Sequence, residues 1–247
     1  MPPIIKLQNI KKKFKKRLIL DNINLEINEG EIFGIIGMSG SGKSTILKLL
    51  IGYYEPEEGD IFFYSYKDKN YKSAIKNIIE LRKTFGFSAQ DPSFYPKLTV
   101  EENLYHFGSL YSLPKKLIKE NTNDLLEITD LANARKQLAQ TLSGGMEKRL
   151  SVACSLIHQP KVLILDEPTA DLDPIRRKET WNLIKGLHSL GTTIVIASHF
   201  LSEIEPVCTK IAILHDHKVI DIGTPVELKK KYGKESLEKI FEVVEKK

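Results

Sequence analysis

Four short runs of apolar and β-branched residues constrain the fold of this chain more than any other feature. They are EIFGII (31–36), KVLIL (161–165), TTIVIA (192–197) and KIAIL (210–214). Short continuous runs of this kind are typical of strands that are buried on both faces. Such strands occur in parallel sheets that lie between layers of helices. A fifth run, INLEI (23–27), alternates apolar and polar residues and predicts a half-buried strand near the N-terminus.

Helix signals lie between and after these strands. Three sites combine a capping residue with proline or glutamate at helix-start spacing: Thr99 with Glu102, Asp173 with Pro174, and Thr224 with Pro225 and Glu227. The segment 236–244, SLEKIFEVV, places the apolar residues Leu237, Ile240, Phe241 and Val244 on one helical face. Residues 91–160 carry little strand signal and much helix signal, whereas the polar segment 66–80 is ambiguous. The pattern predicts an α/β protein with an inserted helical lobe.

Length and charge limit the range of functions. The chain has 247 residues, which suits one large domain or one domain with a lobe. Its net charge of +5, from 37 basic and 32 acidic residues, is weak for a dedicated nucleic-acid binder. The densest basic run is KKKFKKR (11–17). It is interpreted either as a solvated turn or as a surface that attracts phosphate, a membrane or nucleic acid.

The cysteines and the apolar runs bear on the compartment. Cys154 and Cys208 stand alone without a CxxC pair, which suits a reducing cytosol. The N-terminal MPPIIKLQNI lacks the apolar core of a signal peptide. The apolar runs are far shorter than the roughly 20 residues of a membrane-spanning helix. We therefore expect any work at a membrane to require a separate membrane-spanning chain.

A glycine-rich stretch joins the first buried strand to a helix. Residues 37–45 are GMSGSGKST, and Gly37 to Ser44 fit the pattern G-x-x-x-x-G-K-[ST]. Glycines let backbone N–H groups turn inward around an anion, and the following helix adds its positive N-terminal dipole. Lys43 is then placed for β- and γ-phosphates and Ser44 for Mg²⁺. The alternative is an ordinary Gly/Ser turn, but the strand–loop–helix context favours a nucleoside triphosphate site.

A pair of carboxylates follows another buried strand. In KVLILDEP the residues Asp166 and Glu167 come directly after four apolar residues. Open α/β sheets bind their ligands at the carboxyl ends of the strands. Asp166 is suited to holding Mg²⁺, and Glu167 to orienting and deprotonating an attacking water. A solvated acidic turn is the alternative interpretation.

A third motif, LSGGMEKR at 142–149, completes a recognisable set. Together with GMSGSGKST and LILDEP, it closely resembles the nucleotide-binding subunit of the ATP-binding cassette (ABC) family. The resemblance runs in order from about residue 4 to 225. It implies a P-loop NTPase core with a mostly parallel sheet, an antiparallel N-terminal β part and a helical lobe. It also implies ATP and Mg²⁺ as cofactors and hydrolysis of ATP to ADP and phosphate.

The resemblance assigns a role to each matching residue. It implies that the nucleotide contacts Phe14, Gly37, Met38, Ser39, Gly40, Ser41, Gly42, Lys43, Ser44 and Thr45, and in a facing copy Ser143, Gly144 and Gly145. It implies that the metal is held by Ser44, Gln90 and Asp166. It implies that catalysis uses Lys43, Gln90, Glu167 and His199.

Some of these residues have plainer interpretations. The aromatic that stacks on adenine is more usually tyrosine, and Phe14 could instead be a core residue. A histidine after a strand, as His199 is, is usually only polar surface. Asp171 and Asp173 of the ADLD segment match the loop that crosses the dimer, although they could also simply cap the following helix.

The resemblance also implies partners. Two copies, or this chain and a similar cassette, would face each other head to tail around two ATP molecules. A separate transmembrane permease would hold them at the inner face of the cell membrane, within the cytoplasm. Phe94, Tyr95 and Leu98 would receive a short helix of that permease, unless they pack locally within the lobe. The segment 99–114 and the ending 236–244 are similar to exporter subunits, so export is expected.

The expected organisation is a single ABC ATPase domain over 1–247. The catalytic core covers about 1–90 and 161–225, the helical subdomain about 91–160 and a helical tail about 226–247. The alternative function is a soluble ABC ATPase acting on nucleic acid or the ribosome. A metal site at His215 and His217 is a further idea, but without a third ligand a polar hairpin end is favoured.

Overall fold

The computed structural model of the chain describes residues 3–245. Within this range the strands number ten: β1 (Pro3–Phe14), β2 (Arg17–Asn28), β3 (Ile32–Ile36), β4 (Glu58–Ser65), β5 (Asn70–Ser73), β6 (Phe85–Ser88), β7 (Val162–Asp166), β8 (Thr193–Ser198), β9 (Lys210–His215) and β10 (Lys218–Gly223). The α-helices of the same residues number nine: α1 (Lys43–Leu50), α2 (Ile78–Thr84), α3 (Val100–Leu110), α4 (Lys115–Ile128), α5 (Gly144–Leu156), α6 (Pro174–Ser189), α7 (Leu201–Ile204), α8 (Pro225–Tyr232) and α9 (Leu237–Val244).

The chain divides into two compact units. The first contains the chain up to Arg82 and from Thr193 onward, and the second is Lys83–Thr192. The predicted helical segment 91–160 lies within the second unit and contains α3, α4, α5 and two short 3₁₀ turns. Its role as a separate subdomain with those boundaries stays a prediction.

An antiparallel sheet in the first unit has the strand order β2-β1-β4-β5. Strand β1 lies between β2 and β4 and pairs with both in antiparallel register. The predicted strand 23–27 is confirmed, with Ile23, Leu25 and Ile27 buried on one face. Strand β2 is longer than its alternating stretch because its pairing with β1 runs from Phe14↔Arg17 to Pro3↔Asn28.

The predicted parallel sheet is present in the first unit. Strand β3 lies between β8 and β9 and is parallel to both, while β10 returns antiparallel beside β9. All of β3 and β8 is buried, as their continuous apolar sequences predict. Ile36 is paired with Ser198 on one side and with Ile213 on the other. The chain segments that follow Ile36 and Ser198 therefore leave the sheet at the same edge, beside the last residues of β9.

The second unit pairs two strands with a set of helices. Strands β6 and β7 are parallel, with Ser88 opposite Leu165. Helix α3 begins with the predicted capping box, in which Thr99 and Glu102 exchange hydrogen bonds. Helix α6 begins at Pro174 after its capping aspartate, also as predicted. These starts could be predicted from the sequence because a capping residue bonds only to residues a few positions away along the chain.

The ambiguous segment 66–80 forms the edge strand β5 and the start of α2. Among the described residues, strand β5 is the edge strand beside β4, with Asn70 exposed and its other three residues half-buried. Lys72 on β5 forms ion pairs with Asp68 and with Glu80, the latter at 2.7 Å. Long-range pairing and ion pairs order this segment, which is why local apolar pattern did not predict it.

His215 ends β9, and His217 lies in the two-residue turn that leads to β10. His215 pairs with Lys218 across the hairpin, and its Nδ1 lies 2.9 Å from Glu245 Oε1. His217 Nδ1 lies 3.1 Å from the carbonyl oxygen of Ile19. The hairpin-end interpretation is confirmed, and no group of three or more His, Cys, Asp and Glu side chains within residues 3–245 is arranged to hold a metal ion.

The C-terminal helices complete the first unit. Helix α8 begins with the predicted capping box of Thr224 and Glu227. Helix α9 buries Leu237, Ile240 and Val244, which are three of the four members of its predicted stripe. Across the described part of the chain, every helix is too short or too polar to cross a lipid bilayer.

Candidate nucleotide-binding site

The glycine-rich loop takes a conformation that its glycines alone make easy. It begins after Ile36 at the end of β3 and ends where α1 starts at Lys43. Gly40 and Gly42 have φ values of +79° and +110°, in the left-handed region that side chains disfavour. The amide of Ser41 donates to the carbonyl oxygen of Met38 at 3.1 Å and closes a turn in the loop. The loop therefore winds tightly ahead of a helix N-terminus, as a phosphate cradle requires.

Glycine is needed at position 37 because neighbouring atoms approach it closely, and not because of its φ angle. A Cβ atom at this position would lie 2.6 Å from the carbonyl oxygen of Leu214 and 2.6 Å from Ser41 Oγ. Both distances are shorter than atoms tolerate, and the first involves backbone that cannot rotate away. Leu214 follows Ile213, the β9 residue that pairs with Ile36. Any side chain at Gly37 would therefore push the loop away from the edge of the sheet.

Lys43 is folded back into the loop that precedes it. Its side chain is only 6% exposed, and Nζ donates to the carbonyl oxygens of Gly37 at 2.9 Å and Met38 at 3.0 Å. The helical hydrogen bond from Ile46 N–H to the Gly42 carbonyl oxygen places the amides of residues 43–45 ahead of the ladder of α1. One ammonium and the start of one helix thus give the loop a concentration of positive charge.

Ser41 gives an independent indication of a ligand. Its Oγ atom is buried and has no hydrogen-bond partner among residues 3–245. Buried polar atoms in proteins are nearly always paired, so an exception calls for a missing partner. A phosphate oxygen would supply one, because a hydroxyl donates to an anion readily. The loop therefore fits a triphosphate by its charge, its close glycine packing and this hydroxyl.

We expect the substitution Ser41→Ala to have opposite effects on folding stability and on ATP binding. Removing a buried hydroxyl without a partner should raise the unfolding free energy of the nucleotide-free chain by about 1 kcal/mol. It should also weaken ATP binding about tenfold, because a hydrogen bond to a charged group is lost. Thermal denaturation with and without ATP would measure both effects. Ser189→Ala, which removes an exposed hydroxyl on α6, is the control, and unchanged ATP binding in Ser41→Ala would contradict the expectation.

Phe14 lies at the end of β1 and is 39% exposed, so it is not a core residue. Its ring meets Tyr54 edge to face, with the ring centroids 5.0 Å apart. The ammonium of Lys12 lies 5.4 Å from the centroid of the Phe14 ring. An exposed aromatic ring that is supported by its neighbours is available to stack on a base.

The register of the parallel sheet brings His199 to the edge that carries the loop. His199 follows Ser198, which pairs with Ile36, and Gly37 follows Ile36. The His199 ring is exposed and lies 4.1 Å from the ring of Phe200. The first unit thus places its predicted histidine and its glycine-rich loop at neighbouring strand ends.

The two predicted carboxylates lie at the carboxyl end of β7 in the second unit. Asp166 is the last residue of β7, and Asp166 and Glu167 are only 4% and 6% exposed. Glu167 has φ = +48°, which is unusual for a residue with a side chain. Backbone strain of this kind persists where the surroundings impose it and is common at functional sites. The adjacent buried acids therefore have different backbone conformations, which suits the different roles predicted for them.

Gln90 lies at the same edge of the second unit. It follows β6, whose residue Ser88 pairs with Leu165, one position before Asp166. Its side chain is exposed, and its carbonyl oxygen accepts a hydrogen bond from the ammonium of Lys148 on α5. Strand pairing accordingly brings together two of the predicted metal-binding residues, Gln90 and Asp166.

Lys148 is a feature of this region that the sequence did not reveal. Burial lowers the pKa of its ammonium below the usual range, while a group of nearby carboxylates acts in the opposite direction: Asp171, Asp91, Asp166 and Glu167. A positive charge thus lies among the acidic residues of the second unit. In the sequence Lys148 directly follows LSGGME, and no local pattern distinguishes it from an ordinary helix lysine.

The LSGG segment forms the start of α5, as predicted. Ser143 is the N-cap residue, and its Oγ accepts a hydrogen bond from Met146 N–H at 3.5 Å. Gly144 has open space where a Cβ would point, whereas a Cβ on Gly145 would lie 3.0 Å from Arg176 Cδ. A larger residue at Gly145 would have to displace the Arg176 side chain slightly, whereas Gly144 leaves the helix tip accessible to a ligand.

Comparison with known proteins identifies the family. A family model described as ABC transporter matches residues 20–170, which is more than half of the chain. The chain belongs to the ABC transporter family. As a member of this family it binds ATP and hydrolyses it to power transport, and the relatives give no support to an action on nucleic acid or the ribosome.

Two curated relatives and one solved structure are similar over nearly the whole chain. The linearmycin resistance ATP-binding protein LnrL of Bacillus subtilis is 32% identical over 95% of this chain and 73% of its own length. The Nod factor export ATP-binding protein I of Cupriavidus metallidurans is 34% identical over 92% and 73%. The structure of cbiO1 from Clostridium perfringens, part of the ABC transporter complex cbiONQ, is 29% identical, with a TM-score of 0.81 over 99% and 100%. In longer relatives this chain spans 32% or 38% of the length.

These comparisons confirm the predicted α/β fold of an ABC ATPase. The predicted site residues fall in both compact units. The first unit holds Phe14, the loop 37–45 and His199, and the second holds the remainder: Gln90, Ser143, Gly144, Gly145, Asp166 and Glu167. In the first unit the loop and His199 follow neighbouring strand ends, and Phe14 ends β1. In the second unit Gln90, Asp166 and Glu167 lie at the ends of two paired strands, and the other three residues form the start of α5. The roles of the individual residues stay predictions.

Proposed function

We propose that this chain is the ATPase subunit of an exporter and that it works as a head-to-tail dimer closed by ATP. One observation carries the nucleotide part of this proposal. The buried ammonium of Lys43 and the unpartnered hydroxyl of Ser41 lie in the same tight loop at the start of α1. Charge and hydrogen-bonding capacity in such a loop match a triphosphate better than any neutral ligand.

The proposed chemistry is transfer of the γ-phosphoryl group to water. Lys43 and the amides at the start of α1 hold the β- and γ-phosphates, and Phe14 stacks on the base. Glu167 orients the attacking water and takes its proton, and His199 hydrogen-bonds the γ-phosphate. Positioning and charge stabilisation account for most of the acceleration in reactions of this class.

The donor set also fits Mg²⁺, which prefers oxygen ligands and retains several waters. Asp166 and Gln90 end two paired strands in the second unit, and Ser44 lies in the first turn of α1. We propose that these three side chains hold the ion, directly or through water. When bound, Mg²⁺ would neutralise charge on the β- and γ-phosphates.

The proposed dimer completes each site with the partner's helix tip. Ser143, Gly144 and Gly145 form the start of α5, and a helix start with a serine hydroxyl suits an anion. In the proposed arrangement this tip binds the γ-phosphate held by the loop 37–45 of the other copy. Asp171, with φ = +62°, belongs to the loop that we propose to cross the dimer.

Export through a separate permease is the proposed work of the dimer. The relatives named for linearmycin resistance and Nod factor export support the direction. Tyr95 is exposed, and its ring lies 4.6 Å from that of His106 in the second unit. We propose that Phe94, Tyr95 and Leu98 receive a short helix of the permease. This places the chain in the cytoplasm at the inner face of the membrane.

A mixing experiment tests the head-to-tail arrangement directly. The variant Lys43→Ala loses its own cradle but keeps its helix tip, and Ser143→Arg blocks the tip but keeps the cradle. Each variant alone should hydrolyse ATP poorly. Their mixture should regain activity, because a mixed dimer contains one intact cradle facing one intact tip.

The control replaces the serine cap of another helix. Ser236 caps α9 as Ser143 caps α5, so Ser236→Arg makes the same chemical change away from the site. The variant Ser236→Arg should retain activity by itself. No regain of activity on mixing Lys43→Ala with Ser143→Arg would mean that each chain acts alone, and the dimer proposal would be wrong.

A further inference from the structure

Two tyrosines follow the helix that begins at the phosphate cradle. The amides of Tyr53 and Tyr54 both donate to the carbonyl oxygen of Lys48, at 2.9 Å and 3.3 Å. Lys48 lies in the last turn of α1. The two tyrosines are therefore fixed to one end of the helix whose other end starts at Lys43.

Only one of the two rings supports Phe14. The rings of Tyr54 and Phe14 meet edge to face, with centroids 5.0 Å apart and an interplanar angle of 69°. This is a favourable geometry for two aromatic rings. Tyr53 packs on Tyr54 with centroids 4.9 Å apart, and its own ring is 65% exposed. Tyr53 is therefore a natural control for Tyr54, since it has the same side chain and the adjacent position.

A buried lysine fixes the same pair of rings from another direction. The ammonium of Lys12 lies 5.4 Å from the centroid of Phe14 and 5.7 Å from that of Tyr54. It donates to Glu57 Oε1 at 2.9 Å and to the Glu55 carbonyl oxygen at 2.8 Å. Burial opposes ionisation of Glu57, but hydrogen bonds from Lys12 and the Lys13 amide outweigh it and lower the pKa of this carboxyl. The cation beside the rings is thus held in place at neutral pH.

We propose that Tyr54 is a positioning residue for the nucleotide base, which acts by holding the ring of Phe14 at the orientation needed for stacking. This inference rests on the proposed role of Phe14 as the base contact. A phenyl ring at an exposed strand end would otherwise lose rotational freedom when a base binds. Edge-to-face contact with Tyr54 orders the ring in advance, so Tyr54 favours nucleotide binding without touching the nucleotide.

The nucleotide that this family binds, ATP, carries a purine base. Phe14 has no hydroxyl, so it offers the base only a π face, and the larger face of a purine makes more contact than that of a pyrimidine. The phosphates are held elsewhere, by the loop 37–45. Loss of Tyr54 should therefore weaken binding of ATP while leaving binding of a triphosphate that has no base unchanged.

The experiment compares ATP with inorganic tripolyphosphate in titrations of the full chain. The variant Tyr54→Leu should bind ATP roughly three- to tenfold more weakly than the unchanged chain, with the same affinity for tripolyphosphate. Tyr54→Phe keeps the ring and should retain the full affinity for ATP. Tyr53→Leu should also leave both affinities unchanged. The two ligands differ by the adenosine part of ATP, so the ratio of the two affinities reports on base and ribose, whereas a general loss of structure should weaken the binding of both ligands.

Three outcomes would overturn the inference. An unchanged affinity ratio in Tyr54→Leu would mean that the ring does not act on the base. A parallel loss of ATP and tripolyphosphate binding would mean that Tyr54 only maintains α1 and the loop. The variant Phe14→Leu distinguishes a failure of the proposed role of Phe14 from a failure of the proposed role of Tyr54. If it leaves the ratio unchanged, the role of Phe14 is wrong and the inference falls with it, whereas a lowered ratio in Phe14→Leu alone contradicts only the role of Tyr54.

Discussion

Replacing Glu167 with glutamine should reduce ATP hydrolysis by a factor of about 10² to 10⁴, the range that a positioned general base contributes. The substitution keeps the shape of the side chain but removes the group that accepts a proton from water. Glu167 is buried and has a left-handed backbone conformation, which glutamine adopts no more and no less easily. Folding stability should therefore change little, and the loss should appear in the turnover number.

Nucleotide binding should survive the same substitution. Glu167 is one of four carboxylates near the Lys148 ammonium in the second unit, with Asp166, Asp171 and Asp91, and its negative charge does not attract a phosphate. Removing one negative charge from this group should not weaken ATP binding. With hydrolysis blocked, ATP should hold Glu167→Gln in a species of twice the mass of one chain, which light scattering after gel filtration would detect.

The control for this prediction is Glu127→Gln. Glu127 is exposed on α4 in the same unit, so its substitution makes an equal change in net charge without a role in the site. It should hydrolyse ATP at the rate of the unchanged chain. A Glu167→Gln protein that also retained this rate would exclude Glu167 as the base.

The sequence predicted those features of the fold that depend on neighbouring residues. The capping boxes at Thr99 and Thr224 were predictable because each joins residues three positions apart. The buried strands β3 and β8 were predictable because a continuous apolar run leaves few alternatives. Strand β5 was not predicted, since it is ordered by pairing with the edge of β4 and by polar contacts of Lys72.

The same distinction applies to the site. The loop 37–45 was predictable because its motif is contiguous, and its conformation follows from its own glycines. The contact between Lys148 and the Gln90 carbonyl oxygen joins residues 58 positions apart and leaves no local pattern. The contact of Phe14 with Tyr54 is likewise distant in sequence. Two aromatic residues directly after α1 were the only available signal, and they are as common in cores as in sites.

Lys43→Ala should weaken ATP binding by roughly tenfold to a hundredfold, which corresponds to loss of a charged hydrogen bond of about 1.5–3 kcal/mol. The reason is the position of its ammonium in the structure. It lies inside the loop, bound to the carbonyl oxygens of Gly37 and Met38, and is almost wholly buried. The Lys43 ammonium is already shielded from water, so it loses little further solvation when a phosphate binds. Its electrostatic attraction to the phosphate is therefore offset by only a small desolvation cost.

Stability measurements distinguish this loss from damage to the loop. In the nucleotide-free chain, alanine at Lys43 removes two hydrogen bonds but also removes a buried charge, and these effects oppose each other. Isothermal titration should therefore show weak binding in a protein whose thermal unfolding is nearly unchanged without ATP.

Lys48→Ala, at the other end of α1, is the matched control and should bind ATP normally. Because the amides at the start of α1 remain in Lys43→Ala, some affinity should persist. Normal ATP affinity in Lys43→Ala would show that the phosphates lie elsewhere, and the loop would then be a structural turn.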